Sequence, residues 1–380
     1  MKNTLNDFKE ISPYNDSEVP EVIERLINNP VFLSRLSPFF FPRASFLFPY
    51  LGRVLFKIKF NSSFGASKSI KDFQNNLAPF VAKMIENTTQ GFTVSGEENL
   101  LNKPSLFIGN HRDISMDAAF LNYVLYLNNT KTARIAIGDN LLDRGYAEDL
   151  MRLNKSFVVH RNIEGVKETF RKLHKLSSYI YKSITQDLES IWIAQREGRA
   201  NDGNDSTDIA VLKMLFLSTR KLLELNEWLE NINLTPVVIS YEYDPLDITK
   251  ATGWKGKERL EKKLNNTQDI SELIKGITGF KGRVHLHICK PIEGNLSSIE
   301  QLVEEIDISI QSNYKLWPTN HFSVSELAKE NKKYKHLVEK NINSEEASKF
   351  MLRFINTERL VLNKILKAYA FPVLNKKRLG

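Results

Sequence analysis

The chain has 380 residues, enough for one large domain or two smaller ones, and its 42% hydrophobic and 26% charged content is ordinary for a globular protein. Its single cysteine, Cys289, excludes a disulfide within the chain and suits a reducing compartment. A formal net charge of +8 admits an anionic partner such as phosphate, a membrane surface, an acidic carrier protein or nucleic acid, and equally serves plain solubility.

The opening "MKNTLNDFKEISPYND" has no apolar stretch of signal-peptide type, so none is expected. No run of about 18 apolar residues occurs, so no transmembrane helix is expected either. Residues 1–88 read as a helical N-terminal region. "DSEVPEVIERLINN" offers Asp16 or Ser17 as a cap. Residues 32–60 are crowded with phenylalanine, broken by Arg35, Arg43, Arg53, Lys57 and Lys59 and by Pro38, Pro42 and Pro49. Aromatics mixed with cations suit a segment lying in a membrane interface. The alternative is a helical hairpin packed on the main domain. "SKSIKDFQNNLAPFVAKMIENT" then places Ile70, Phe73, Leu77, Phe80, Val81 and Met84 at helical spacing.

From about residue 90 short β-rich runs alternate with longer helical ones. The runs are 105–109, 133–138, 156–160, 190–194, 236–243 and 283–289. "GVKETFRKLHKLSSYIYKSIT" and "DIAVLKMLFLSTRKLLELNEWLE" are helical patterns between them. This alternation predicts an α/β domain over 89–323, a mostly parallel central sheet flanked by helices, with ligands beyond the carboxyl ends of the strands. Residues 324–380 read as a helical C-terminal extension ending in Lys376, Lys377 and Arg378.

The stretch "FIGNHRDISMD", 107–117, places a histidine and two aspartates after a short apolar run. A kinase catalytic loop would need Asn five residues after the Asp of "HRD", and that position is Ala118. Seven histidines and one cysteine, with neither HExxH nor CxxC, give no metal-ligand spacing, and no metal is expected. His285 and His287 share a strand face, as alternation on a buried strand also requires.

Residues six apart on a helix are turned by about 600°, onto different faces. On a strand they lie about 20 Å apart. His111 and Asp117 therefore meet only if a turn follows the strand and a helix then begins. In that arrangement Asp113 caps the helix and Asp117 faces back toward His111. A carboxylate on one ring nitrogen fixes the tautomer and makes the other nitrogen a better base. The competing reading is a loop histidine, a capping aspartate and a solvated helix acid.

Three later stretches stand at strand ends. "SFVVHRN" leaves His160 and Arg161 past a strand, "IWIAQREGRANDGND" leaves Gln195, Arg196, Glu197, Gly198 and Arg199 past another, and "LTPVVISYEYDP" is opened by Pro236. Arginines at strand ends beside a glycine suit an anion such as phosphate.

In that order, "NHRDISMD", "SFVVHR", "IWIAQREGR" and "PVVISYEY" resemble the four blocks of the glycerolipid acyltransferases, over about residues 90–245. The family separates its histidine and aspartate by four residues, and here five intervene, which leaves Asp113 as a substitute partner. The resemblance implies direct transfer of an acyl group from acyl-CoA or acyl carrier protein to the hydroxyl of 1-acylglycerol 3-phosphate or of glycerol 3-phosphate, with no cofactor. It implies His111 and Asp117 as the catalytic pair, and Arg161, Arg196, Glu197, Gly198 and Arg199 around the acceptor. Turn N–H groups near His111 are expected to hold the oxyanion. The expected location is the inner face of the cell membrane, peripherally bound. A catalytically inactive lipid- or carrier-binding protein is the alternative of another class. A nucleic-acid partner is not expected, since the basic stretch 249–264 reads as a solvated helix face.

Overall fold

The computed structural model describes residues 8–139, 145–161, 163–253, 266–339 and 343–379. In chain order the larger elements are α1 (Val19–Ile27), α2 (Pro30–Phe40), α3 (Pro42–Leu47), α4 (Pro49–Phe64), α5 (Ile70–Thr88), β1 (Gly91–Ser95), β2 (Leu106–Gly109), α6 (Met116–Leu127), β3 (Arg134–Gly138), α7 (Gly145–Leu153), β4 (Ser156–Val159) and α8 (Val166–Thr185). There follow β5 (Ile191–Ala194), α9 (Ile209–Phe216), α10 (Leu225–Ile232), β6 (Leu234–Tyr241), α11 (Asp247–Gly253), α12 (Asn266–Thr278), β7 (Arg283–Ile288), α13 (Ile299–Asn313), α14 (Pro318–Glu330), α15 (Ser344–Leu352) and α16 (Arg359–Leu379). The class is α/β with mostly parallel strands, a helical N-terminal region and C-terminal helices. The chain divides into two compact units, Met1–Ala82 with Arg134–Gly165, and Lys83–Ala133 with Val166–Gly380.

In the first unit Pro30, Pro42 and Pro49 each open a helix, where the missing N–H is no loss. Asn29 caps α2 by accepting from the N–H groups of Val31 and Phe32, both at 3.0 Å. The core is aromatic. Phe32, Phe56, Phe60, Phe64 and Phe73 are buried with Val19, Ile23, Leu26 and Tyr146. Phe32 meets Phe60 edge to face at 5.1 Å and Phe56 in a tilted contact at 5.6 Å, contacts worth about 0.5–1.5 kcal/mol each beyond the area they bury. The other aromatics of this segment face outward: Phe46, Phe48 and Tyr50 are 87%, 62% and 74% exposed. The segment is thus part core and part surface. Strands β3 and β4 pair in parallel, Gly138 opposite Val159. Among the described residues no helix is long and apolar enough to cross a membrane.

The second unit holds the strand order β1-β7-β6-β2-β5. β2 pairs in parallel with both β5 and β6, so all three end at one edge. β7 runs antiparallel to β6 and parallel to β1. That reversal brings the junction of α12 and β7 to the edge where β2, β5 and β6 finish. The central strands are continuous apolar runs, as strands covered on both faces require. The C-terminal helices form a cluster of their own, in which Phe350, Ile365, Leu366, Tyr369 and Ala370 are buried.

Three details depart from the sequence reading. β1 was not foreseen, because "GFTVS" is short, polar and alternately exposed. The pattern 208–230 is two helices. Ser177 of α8 donates to Leu215 O at 2.9 Å and accepts from Ser218 N at 2.9 Å, so a neighbouring side chain takes the bonds that would continue α9. Finally, Pro236 is the third residue of β6, which begins at Leu234. Its carbonyl accepts from Cys289 N at 2.9 Å, one residue past the end of β7, where a missing N–H does no harm. Most of the basic stretch 249–264 lies outside the described residues.

Candidate active site

The site grows from the end of β2. Asn110, 1% exposed, uses its side-chain amide as a strand would use its backbone. It donates to Ile239 O at 3.0 Å and accepts from Ile239 N at 2.8 Å. The turn that follows is therefore pinned to β6. Asp113 caps the entry to α6: its Oδ1 accepts from the N–H groups of Ser115 and Met116 at 3.0 and 2.9 Å.

Asp117 lies on the first turn of α6, with Oδ2 at 3.0 Å from His111 Nδ1. The same oxygen accepts from Arg112 N at 2.7 Å and Asp113 N at 2.9 Å, and Oδ1 accepts from the Tyr241 hydroxyl at 2.8 Å. Only an ionised carboxylate accepts four donors without returning a proton. Burial and the neighbouring Asp117 charge push the Asp113 carboxyl up from its ordinary value, and Asp113 Oδ2 is buried without a partner among the described residues. Asp117, then, partners His111, while Asp113 builds the helix entry. The fifth intervening residue is absorbed in the turn, where two backbone N–H groups point at the carboxylate. With Nδ1 on Asp117, Nε2 is left to take a proton. The ring meets Trp192 edge to face at 6.1 Å, and the His111 side chain is 12% exposed.

Four of the turn amides are engaged within the turn itself. Those of Arg112 and Asp113 serve Asp117, and those of Ser115 and Met116 serve Asp113.

The loop after β5 runs beside the histidine. Gln195 N donates to Gly109 O and Ala200 N donates to His111 O, each at 2.8 Å. Gly198 takes φ +75°, the left-handed region that glycine enters freely. Arg196 is half-buried and Glu197 exposed. Arg199 is nearly buried and pairs with Glu272 of α12. Arg161 stands in the first unit, past β4, where its N–H faces Asp139 at 3.2 Å.

Arg112, the residue after the histidine, is not available to a substrate. Its guanidinium is buried against Asp205, donates to Gly203 O at 3.2 Å and lies over the Tyr314 ring at 5.1 Å. Lys250 donates to Arg112 O at 2.6 Å and pairs with Asp244. The cavity among Arg112, Asp244, Lys250, Tyr314 and Tyr369 is about 30 Å³, room for water and not for a headgroup. Among the described residues no group of His, Cys, Asp and Glu is placed to hold a metal ion.

Asn110, Tyr241, Asp205 and Glu272 escaped the sequence reading. Tyr241 carried a weak signal, an aromatic at the end of the strand in the fourth block. Glu272 carried none, since it is 73 residues from Arg199.

The histidine–aspartate pair stands beyond the end of a parallel strand in an α/β fold. Residues 91–216 match the acyltransferase family model, so the chain carries an acyltransferase domain, which implies an acyl donor and an acceptor. Among solved structures, the chain is similar to the 1-acyl-sn-glycerophosphate (LPA) acyltransferase PlsC from Thermotoga maritima, at 18% identity, a TM-score of 0.37, and coverage of 73% of this chain and 91% of that one. No curated protein matches the sequence.

Proposed function

We propose that the protein transfers a fatty acyl group from a thioester, acyl-CoA or acyl carrier protein, to the hydroxyl of 1-acylglycerol 3-phosphate. The observation that carries this reading is the contact of His111 Nδ1 with Asp117 Oδ2 at 3.0 Å. His111 Nε2 takes the proton of the acceptor hydroxyl as its oxygen attacks the thioester carbonyl. Asp117 holds the ring and balances the imidazolium. When the tetrahedral intermediate collapses, the C–S bond breaks and the thiolate takes the proton back from His111. Arg196 and Arg199 are the cations nearest in sequence to Ala200, whose N–H touches His111 O, and the acceptor's phosphate is assigned to that loop; Arg161 is assigned to the same phosphate by family resemblance alone.

Glycerol 3-phosphate is the alternative acceptor. The lysolipid is favoured by the exposed Phe46, Phe48 and Tyr50 with Arg43 close by, a surface suited to a lipid interface. Peripheral binding on the inner face of the cell membrane goes with this reading. Purified protein assayed with each donor against each acceptor tests the reading. Product from lysophosphatidate, at a rate well above that from glycerol 3-phosphate, is expected. Product from glycerol 3-phosphate alone would replace the acceptor, and turnover of neither would leave a binding protein.

A further inference from the structure

Arg199 is one of the cations that the resemblance assigns to the acceptor, yet it already has a counter-ion. Its side chain is 10% exposed and that of Glu272 7%, so the pair is sheltered from water. Nη2 pairs with Glu272 Oε2, while Nη1 is buried without a hydrogen-bond partner among the described residues. A guanidinium presents a fork of donors that suits two acceptor oxygens. Here one nitrogen of that fork is engaged by the carboxylate and the other is idle.

The pair is seated on the catalytic turn from both sides. Ala200, next to Arg199, donates its N–H to His111 O at 2.8 Å. Four residues after Glu272 on the same helix, Gly276 backs onto Asp113 so closely that a side chain there would strike the Asp113 carboxylate. Glycine is needed at Gly276 for that approach, and the approach fixes Glu272 beside the loop.

We propose that Glu272 is a positioning residue, the resting counter-ion of Arg199, and that the acceptor's phosphate displaces it from Arg199 on binding. This inference rests on the phosphorylated acceptor proposed above. A phosphate monoester carries about −1.5 to −2 charges and three acceptor oxygens. It satisfies both terminal nitrogens of Arg199, where the carboxylate satisfies one. A phosphate-free acceptor brings nothing to exchange, and the Arg199–Glu272 pair stays closed. Retaining Glu272 weakens phosphate binding by like-charge repulsion and holds the buried guanidinium neutralised between turnovers, since an unpaired buried charge is strongly unfavourable.

The test compares wild type, Glu272→Gln, Arg199→Gln and the double variant. KM is measured for lysophosphatidate and for the matching monoacylglycerol, and thermal stability is measured with and without glycerol 3-phosphate. Glu272→Gln is expected to lower KM for lysophosphatidate at least threefold with no such fall for monoacylglycerol. Its melting temperature should also rise with glycerol 3-phosphate by more than that of the wild type. Both effects should vanish in the double variant. An unchanged or higher lysophosphatidate KM in Glu272→Gln, with wild type active, overturns the exchange and leaves the acceptor assignment standing. A Glu272→Gln protein that does not fold even with glycerol 3-phosphate present makes the pair a structural bridge and overturns it likewise. A wild type that turns over neither phosphorylated acceptor removes the acceptor assignment and the exchange together.

Discussion

Tyr241, the last residue of β6, ties that strand to the histidine–aspartate pair. Its hydroxyl donates to Asp117 Oδ1 at 2.8 Å from a buried ring. Burial and the Asp117 charge push the phenol well above its ordinary value, so it remains a donor at every working pH. Tyr241→Phe leaves a buried carboxylate oxygen without its donor, a loss of about 1–3 kcal/mol in stability. Denaturant unfolding should show that loss, and acyl transfer should fall mainly in kcat, because the ring of His111 loses its held carboxylate while the acceptor loop is untouched. An unchanged kcat would make Tyr241 a packing residue. At this scale the sequence was partly legible. The turn between His111 and Asp117 followed from arithmetic on six residues, and the choice between Asp117 and Asp113 did not. That choice depends on where four donors converge, and three of the contacts, from Arg112 N, Asp113 N and Tyr241, are made by groups whose direction no spacing rule gives.

The unforeseen strand β1 also carries a chemical consequence. Ser95 on β1 lies at 2.9 Å from His285 Nε2 and 2.7 Å from His287 Nδ1, and Thr93 lies at 2.8 Å from His285 Nδ1. Burial, with Lys315 near, holds the His285 imidazole down at about 4 against an ordinary 6.5. The unfolded chain therefore takes up a proton that the folded protein resists. The stability this histidine contributes is complete above about pH 6.5 and is lost as the pH falls through about 4. The melting temperature should drop across that window, and His285→Gln should flatten the drop; an identical pH profile in the variant would contradict this. The alternation of short β-rich and longer helical runs revealed six strands, most plainly β2 and β6, whose apolar content is set by burial on both faces. β1 was missed since its residues alternate at a half-exposed edge, and the break between α9 and α10 was missed since it is imposed by Ser177 from another helix.

Across the whole molecule, the phenylalanines divide between a core and a surface that sequence alone presents as one run. Phe32, Phe56, Phe60 and Phe64 are at most 6% exposed, and Phe46 is 87% exposed. Composition marks the segment 32–60 as amphipathic, but the register that separates the two sets is fixed by the helix starts at Pro30, Pro42 and Pro49. Replacing Phe46, Phe48 and Tyr50 together by Ser removes only exposed side chains. The wild type should sediment with anionic vesicles at low salt, and the triple variant should do so several-fold less with its melting temperature unchanged. Equal sedimentation would move the lipid contact elsewhere. The proposed transfer depends on one nitrogen, His111 Nε2. The decisive measurement is acyl transfer by His111→Ala beside wild type, with folding checked by circular dichroism. Loss of at least about a hundredfold in kcat, consistent with removal of a general base, is expected from a folded variant. Retained turnover in that folded variant would contradict the assignment of His111 as the base.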